Sequence, residues 1–108
     1  MAQEPEKIIR DGKVAVLISP GFGAGWSTWA SDDKSKFLLF DRRFVEAVEA
    51  GVTDIEPIAK EVTGDEYVCC LGWHKVRIEW LPVGTAFTVE EYDGSESLRT
   101  VSDLAYVA

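Results

Sequence analysis

Lys7 to Ser19 reads "KIIRDGKVAVLIS". Two apolar runs flank Asp11-Gly12, the dipeptide type that most readily takes the two left-handed positions of a two-residue hairpin turn. Val14 to Ile18 is apolar at every position, which is the pattern of a strand buried on both faces rather than one. Both sides of that strand should therefore be covered by the rest of the chain.

Downstream, Pro20 to Lys36 shows no period of 2 or 3.6 and is long for a loop, a length that usually marks function or disorder. "FDRRFVEAVEAG" predicts a short helix capped by Asp41 and ended by Gly51, with Phe44, Val45 and Val48 on one face. "TDIEPIAKEVTG" predicts a second, with Asp54 as N-cap, Pro57 in the first turn, Gly64 at the end, and Ile55, Ile58, Ala59 and Val62 as its apolar face. After Gly64 the period changes to 2. "EYVCCLG", "KVRIEWL" and "TAFTVEEYDG" read as strands, the middle one with Val76, Ile78 and Trp80 inward, and "LPVGT" as a turn between them. Asp93-Gly94 marks another tight turn, and "SESLRTVSDLAYVA" supplies at least one last strand. The order predicts a single α+β domain over residues 1–108, with a mainly antiparallel sheet and two short helices packed on one side.

Composition narrows the function. The 108-residue chain has a net charge of −8, which excludes a general nucleic-acid binder, because affinity for a polyanion comes from many Lys and Arg contacts to phosphate. Residues 1–43 hold seven bases against six acids, so the first part sums to about +1 and the remainder to about −9. An anion site is thus expected near the first part, and the acidic second part reads as solvated surface or as a face for a basic partner. No apolar run is long enough to span a bilayer and the N-terminus lacks a leader pattern, so a soluble intracellular protein with no membrane partner is expected. Cys69 and Cys70 are adjacent, a spacing that strains a disulfide, and read as reduced thiols.

The glycine-aromatic segment "SPGFGAGWSTW" is the most distinctive piece. Its glycines alternate, which fits neither the dinucleotide fingerprint, with its G-x-G-x-x-G opening a helix, nor a Walker-type loop. Alternating Gly21, Gly23 and Gly25 let successive backbone N–H groups line a concavity for phosphate or carboxylate. Phe22, Trp26 and Trp29 offer flat faces, Ser27 and Thr28 hydroxyl donors, and Arg42 and Arg43 phosphate contacts. The alternative is that the aromatics cover one end of a small sheet. On the ligand reading, Trp26→Ala weakens binding and leaves the fold intact; on the packing reading it costs the fold. In "EEYDGSES", Tyr92, Ser95, Glu96 and Ser97 present hydroxyls and a carboxylate at a loop tip, although an ordinary hairpin turn accounts for the segment as well and is the favoured reading.

Catalysis is not expected. The single histidine, His74, has no metal-ligand spacing to Cys69 and Cys70, and neither G-x-S-x-G nor H-E-x-x-H occurs. No metal or cofactor is expected.

Taken together, "KIIRDGKVAVLISPGFGAGWSTW", "LLFDRRFVEAV", "RIEWLPVGT" and "EEYDGSES" resemble a widespread group of small phage and prophage proteins, over about Lys7 to Ser97. The chain is similar in this to the anti-CBASS sponge proteins, which sequester cyclic dinucleotide signals. The resemblance implies a homo-oligomer with sites at subunit interfaces, binding without chemistry, a small nucleotide ligand and action in the host cytoplasm. The candidate residues themselves rest on the chemistry of the loop. The runner-up expectation is an acidic inhibitor that docks on a basic surface of a host defence enzyme.

Overall fold

The Asp11-Gly12 turn forms as its residues demand: φ is 52° at Asp11 and 74° at Gly12, both left-handed, as a two-residue hairpin requires. It joins β1 (Ile9–Arg10) to β2 (Lys13–Ile18), pairing Ile9 with Val14 and Arg10 with Lys13. The computed structural model describes residues 4–21, 25–30, 32–64 and 72–100, without the side chains of residues 32 and 33. Ala15 to Ile18 are buried, as the unbroken apolar run predicts.

Among the described residues three α-helices follow: α1 (Asp32–Phe40), α2 (Arg42–Ala50) and α3 (Glu56–Thr63). Of the two expected from sequence, α2 is capped at both ends as expected, whereas the N-cap position of α3 is Ile55, without a side-chain cap, and Asp54 stands one residue before it. The Asp41 carboxylate accepts from the Arg43 N–H and Gly51 sits in the left-handed region with φ 72°. The Asp54 carboxylate accepts from the Glu56 N–H and Gly64 closes α3 with φ 70°. α1 corrects the expectation of an irregular segment up to Lys36. Its apolar residues cluster at one end, Phe37 to Phe40, so no 3.6 period shows in the sequence even though the backbone is helical. Asp41 then serves both neighbours: its N–H donates to the Phe37 carbonyl, and its own carbonyl accepts from Phe44 and Val45.

The strands also differ from a single sheet. β3 (Arg77–Pro82) pairs with β2 in antiparallel register, Val14 opposite Leu81 and Ile18 opposite Arg77, giving the order β1-β2-β3. β4 (Phe87–Tyr92) and β5 (Ser95–Thr100) form a separate two-stranded sheet around Asp93-Gly94. "LPVGT" makes the expected turn, with the Thr85 N–H donating to the Pro82 carbonyl, but it joins two sheets and closes no hairpin, because β4 pairs with β5 and not with β3. The expected strand "EYVCCLG" and both cysteines lie outside the described residues, apart from Gly72. The whole is a single α+β domain, and among the described residues no helix is long and apolar enough to cross a membrane.

The core lies between the three-stranded sheet and the helices. Ala15 and Leu17 of β2 meet Leu38 of α1, Phe44, Val45 and Ala47 of α2, and Ile55 and Ala59 of the α3 region. Two tryptophans at short 3-10 turns complete it, Trp26 just before one and Trp73 at the start of the other. Val76, Ile78 and Trp80 pack against this cluster, on the side that their alternation predicts.

Candidate functional site

Trp26 is 0% exposed. Its ring meets Phe44 edge-on at 5.2 Å between centroids and Trp73 at 5.5 Å, contacts that give aromatic pairs stabilisation beyond buried area. Its indole N–H donates to the Leu38 carbonyl at 2.7 Å, one of the four α1 carbonyls that have no intrahelical partner. The stacking face assigned to Trp26 from sequence is therefore spent on the core. Of the aromatics in the loop, Trp29 is 44% exposed, and Phe22 lies outside the described residues together with Gly23.

The loop amides do hold an anion, and it belongs to the chain. Glu96, 1% exposed on β5, accepts at one oxygen from the Ser19 N–H at 2.9 Å. Its other oxygen accepts from the Trp26 N–H at 2.7 Å, the Thr28 N–H at 3.0 Å and the Thr28 hydroxyl at 2.6 Å. The Glu96 N–H donates to the Ser19 carbonyl, and the Ser95 hydroxyl to the Pro20 carbonyl. Charge-assisted bonds of this kind are stronger than neutral ones, so one carboxylate ties the loop to the β4–β5 hairpin. The Thr28 and Ser95 hydroxyls thus donate within the chain rather than to a ligand, and the amides on this carboxylate are those of Ser19, Trp26 and Thr28, not of the glycines named from sequence. A signal for it was present: Leu98 and Thr100 alternate inward along β5, and the period of 2 places Glu96 on the same face.

The glycines answer to space. A Cβ on Gly25 would stand 2.7 Å from both Thr28 Oγ1 and Trp29 Cδ1, and one on Gly21 would meet the Lys75 side chain. Gly25 thus keeps the Thr28 hydroxyl free to reach Glu96.

Arg42 and Arg43 are engaged by carboxylates. Arg42 pairs with Glu6 and Glu46 and Arg43 with Asp41 and Glu61. Hydrogen bonds to Glu6 and to Asp41 are the first cause of their raised pKa values. Arg10, Arg77 and Arg99 pair likewise with Glu49, Glu79 and Glu90, so every arginine of the chain has a carboxylate beside it. Phosphate binding at Arg42 or Arg43 would have to displace these partners.

At the hairpin tip the Glu91 carboxylate accepts from the Gly94 N–H at 2.7 Å and the Trp29 indole N–H at 3.2 Å, and these two donors hold it below the usual carboxylate range. The lowered value means stability that is present above the unfolded carboxyl value, about 4.3, and lost as pH falls through the folded one. Glu91→Gln is expected to lower the melting temperature at pH 7, with the gap narrowing as pH falls through the folded Glu91 value, which lies below the usual carboxylate range; a gap that does not change on acidification would contradict the linkage. Tyr92, beside it, is 77% exposed.

What the loop does border is a cleft. The turn at Ser27–Trp29 contributes Ser27 and Thr28, with Ala30 after it; α1 contributes Ser35, Leu39 and Phe40; β4 contributes Phe87, Thr88 and Val89. Its volume is about 530 Å³, within the roughly 300–1,000 Å³ of small-molecule sites. Phe40 and Phe87 meet edge-on at 5.9 Å, and Lys7 Nζ stands 4.5 Å from the Phe40 ring centroid. Of the sequence-predicted set, among the described residues, Ser27 and Thr28 are brought to this cleft. Lys7, Phe40 and Phe87 were missed, since nothing local in the chain links residues so far apart. Among the described residues no cluster of His, Cys, Asp or Glu is arranged to hold a metal ion. No protein-family model, curated protein or solved structure matches the chain.

Proposed function

We propose that the protein is a non-catalytic binding protein that takes up and sequesters a small nucleotide, of the cyclic dinucleotide class, in the cytoplasm of a phage-infected host, and so blunts a nucleotide-signalled defence. The observation that carries the reading is the cleft beside the glycine-aromatic loop, with two phenyl rings and several hydroxyls in its walls. Aromatic faces hold bases with about 1–3 kcal/mol each, and hydroxyls orient their edges.

Micromolar affinity needs about 8 kcal/mol, more than one stacking contact supplies. Among the described residues the cleft is open rather than enclosed, so enclosure by a second copy belongs to the proposal. Native mass spectrometry of the purified protein with a panel of cyclic dinucleotides is expected to show a symmetric oligomer that gains intact ligand. A monomer that gains none would overturn it, and a ligand released in altered form would point to an enzyme.

A second reading is favoured by the charges. With every arginine already paired and Tyr92 exposed between Glu91 and Asp93, the hairpin tip suits a basic protein surface. Binding of that kind weakens steeply with salt.

A further inference from the structure

Among the described residues, none of the nine side chains lining the cleft is ionisable. A phosphate enclosed by such walls would lose its hydration with no charge to replace it, a cost far above any stacking gain. An uncharged heteroaromatic ring suffers no such penalty: it exchanges water for phenyl faces and meets hydroxyls at its edge. The Thr28 hydroxyl gives its proton to Glu96, which leaves that oxygen an acceptor towards anything else, and so suited to an amino or imino donor on a base. A cation stands beside one of these walls without lining the cleft: Lys7 is exposed, and its Nζ lies 4.5 Å from the centroid of the Phe40 ring.

We infer that the cleft takes the base of a nucleotide, against Phe40 and Phe87 with Thr28 accepting from its edge, while the phosphate stays at the mouth against Lys7. This rests on the nucleotide reading above and divides the ligand between two subsites, neither of which uses Trp26, Arg42 or Arg43. Selectivity then comes from the base and salt sensitivity from a single lysine.

The test compares binding of cyclic GMP-AMP and of guanosine plus adenosine by calorimetry, for the parent, Phe87→Leu and Lys7→Gln. Leucine keeps most of the buried volume at position 87 and removes the π face; Lys7 is exposed, so its replacement leaves the fold alone. Phe87→Leu is expected to weaken the cyclic dinucleotide and the nucleosides alike, by about tenfold, in keeping with one lost stacking contact. Lys7→Gln is expected to weaken the dinucleotide several-fold, to flatten its salt dependence, and to leave the nucleosides unchanged. Melting curves matching the parent confirm that both variants are folded. If cyclic GMP-AMP binds all three proteins equally, the subsites are wrong and the nucleotide reading stands. Absence of binding to any of the three overturns both.

Discussion

Glu96→Ala is expected to unfold the domain or bring it to the edge of unfolding. The substitution leaves the amides of Ser19, Trp26 and Thr28 without the acceptor they share. A buried donor left unsatisfied costs about 1–3 kcal/mol, so three approach the roughly 5–15 kcal/mol by which a whole domain is stable. Glu96→Gln separates the terms. Its one carbonyl oxygen can keep the cluster from Trp26 and Thr28, whereas its amide N–H₂ faces the Ser19 N–H, so the loss falls to about 1–3 kcal/mol. Urea unfolding followed by tryptophan fluorescence measures both. An alanine variant within about 1 kcal/mol of the parent would show that water reaches the loop amides, and that the carboxylate is not what holds the loop to the hairpin.

Trp26→Ala is expected to cost about 3–5 kcal/mol, the usual range for emptying a buried aromatic site. Two ring partners, Phe44 and Trp73, lose contact at once, and the Leu38 carbonyl loses its donor. Trp26→Phe should fall between alanine and parent, since it keeps a ring and gives up the indole N–H. The same unfolding curves read this series. A tenfold loss of ligand with an unchanged curve would return Trp26 to the binding site; the burial of its ring predicts the reverse order, fold first. Because Glu96 holds the backbone of the residue whose ring fills the core, the two substitutions share partners and their costs should not add.

For ligand experiments the consequence is practical. Trp26 makes a poor probe of binding, because any effect passes through the core. On the proposed subsites, Phe87→Leu and Lys7→Gln are expected to separate binding from folding, and Trp29, exposed and bonded to Glu91, offers a fluorescence reporter.

The division between what was legible and what was not follows the distance over which each feature is encoded. Asp41 and Gly51, Asp54 and Gly64 bound their helices through groups two to four residues away, so the helix limits could be read directly. Asp11-Gly12 and Asp93-Gly94 fix their hairpins within the turn itself. α1 escaped because its apolar residues crowd one end, and a helix with no stripe leaves no period to detect. The glycine-aromatic loop was legible as unusual, with its purpose hidden. A tryptophan in an irregular segment has the same letters whether its ring enters the core or meets a ligand, and a row of amides has the same letters whether its anion is foreign or Glu96.

By itself, then, the sequence determined the α+β class, the β1–β2 hairpin with its buried strand, two of three helices and the tight turn at Asp93-Gly94, since each depends on side chains a few residues apart. The tertiary structure alone decided that β3 pairs with β2, that Glu96 fills the anion site of the loop, that the arginines are spent on carboxylates, and that Phe40 and Phe87 share a cleft. Those choices join residues tens of positions apart, where the winning contact is set by which partners the packed core brings within reach.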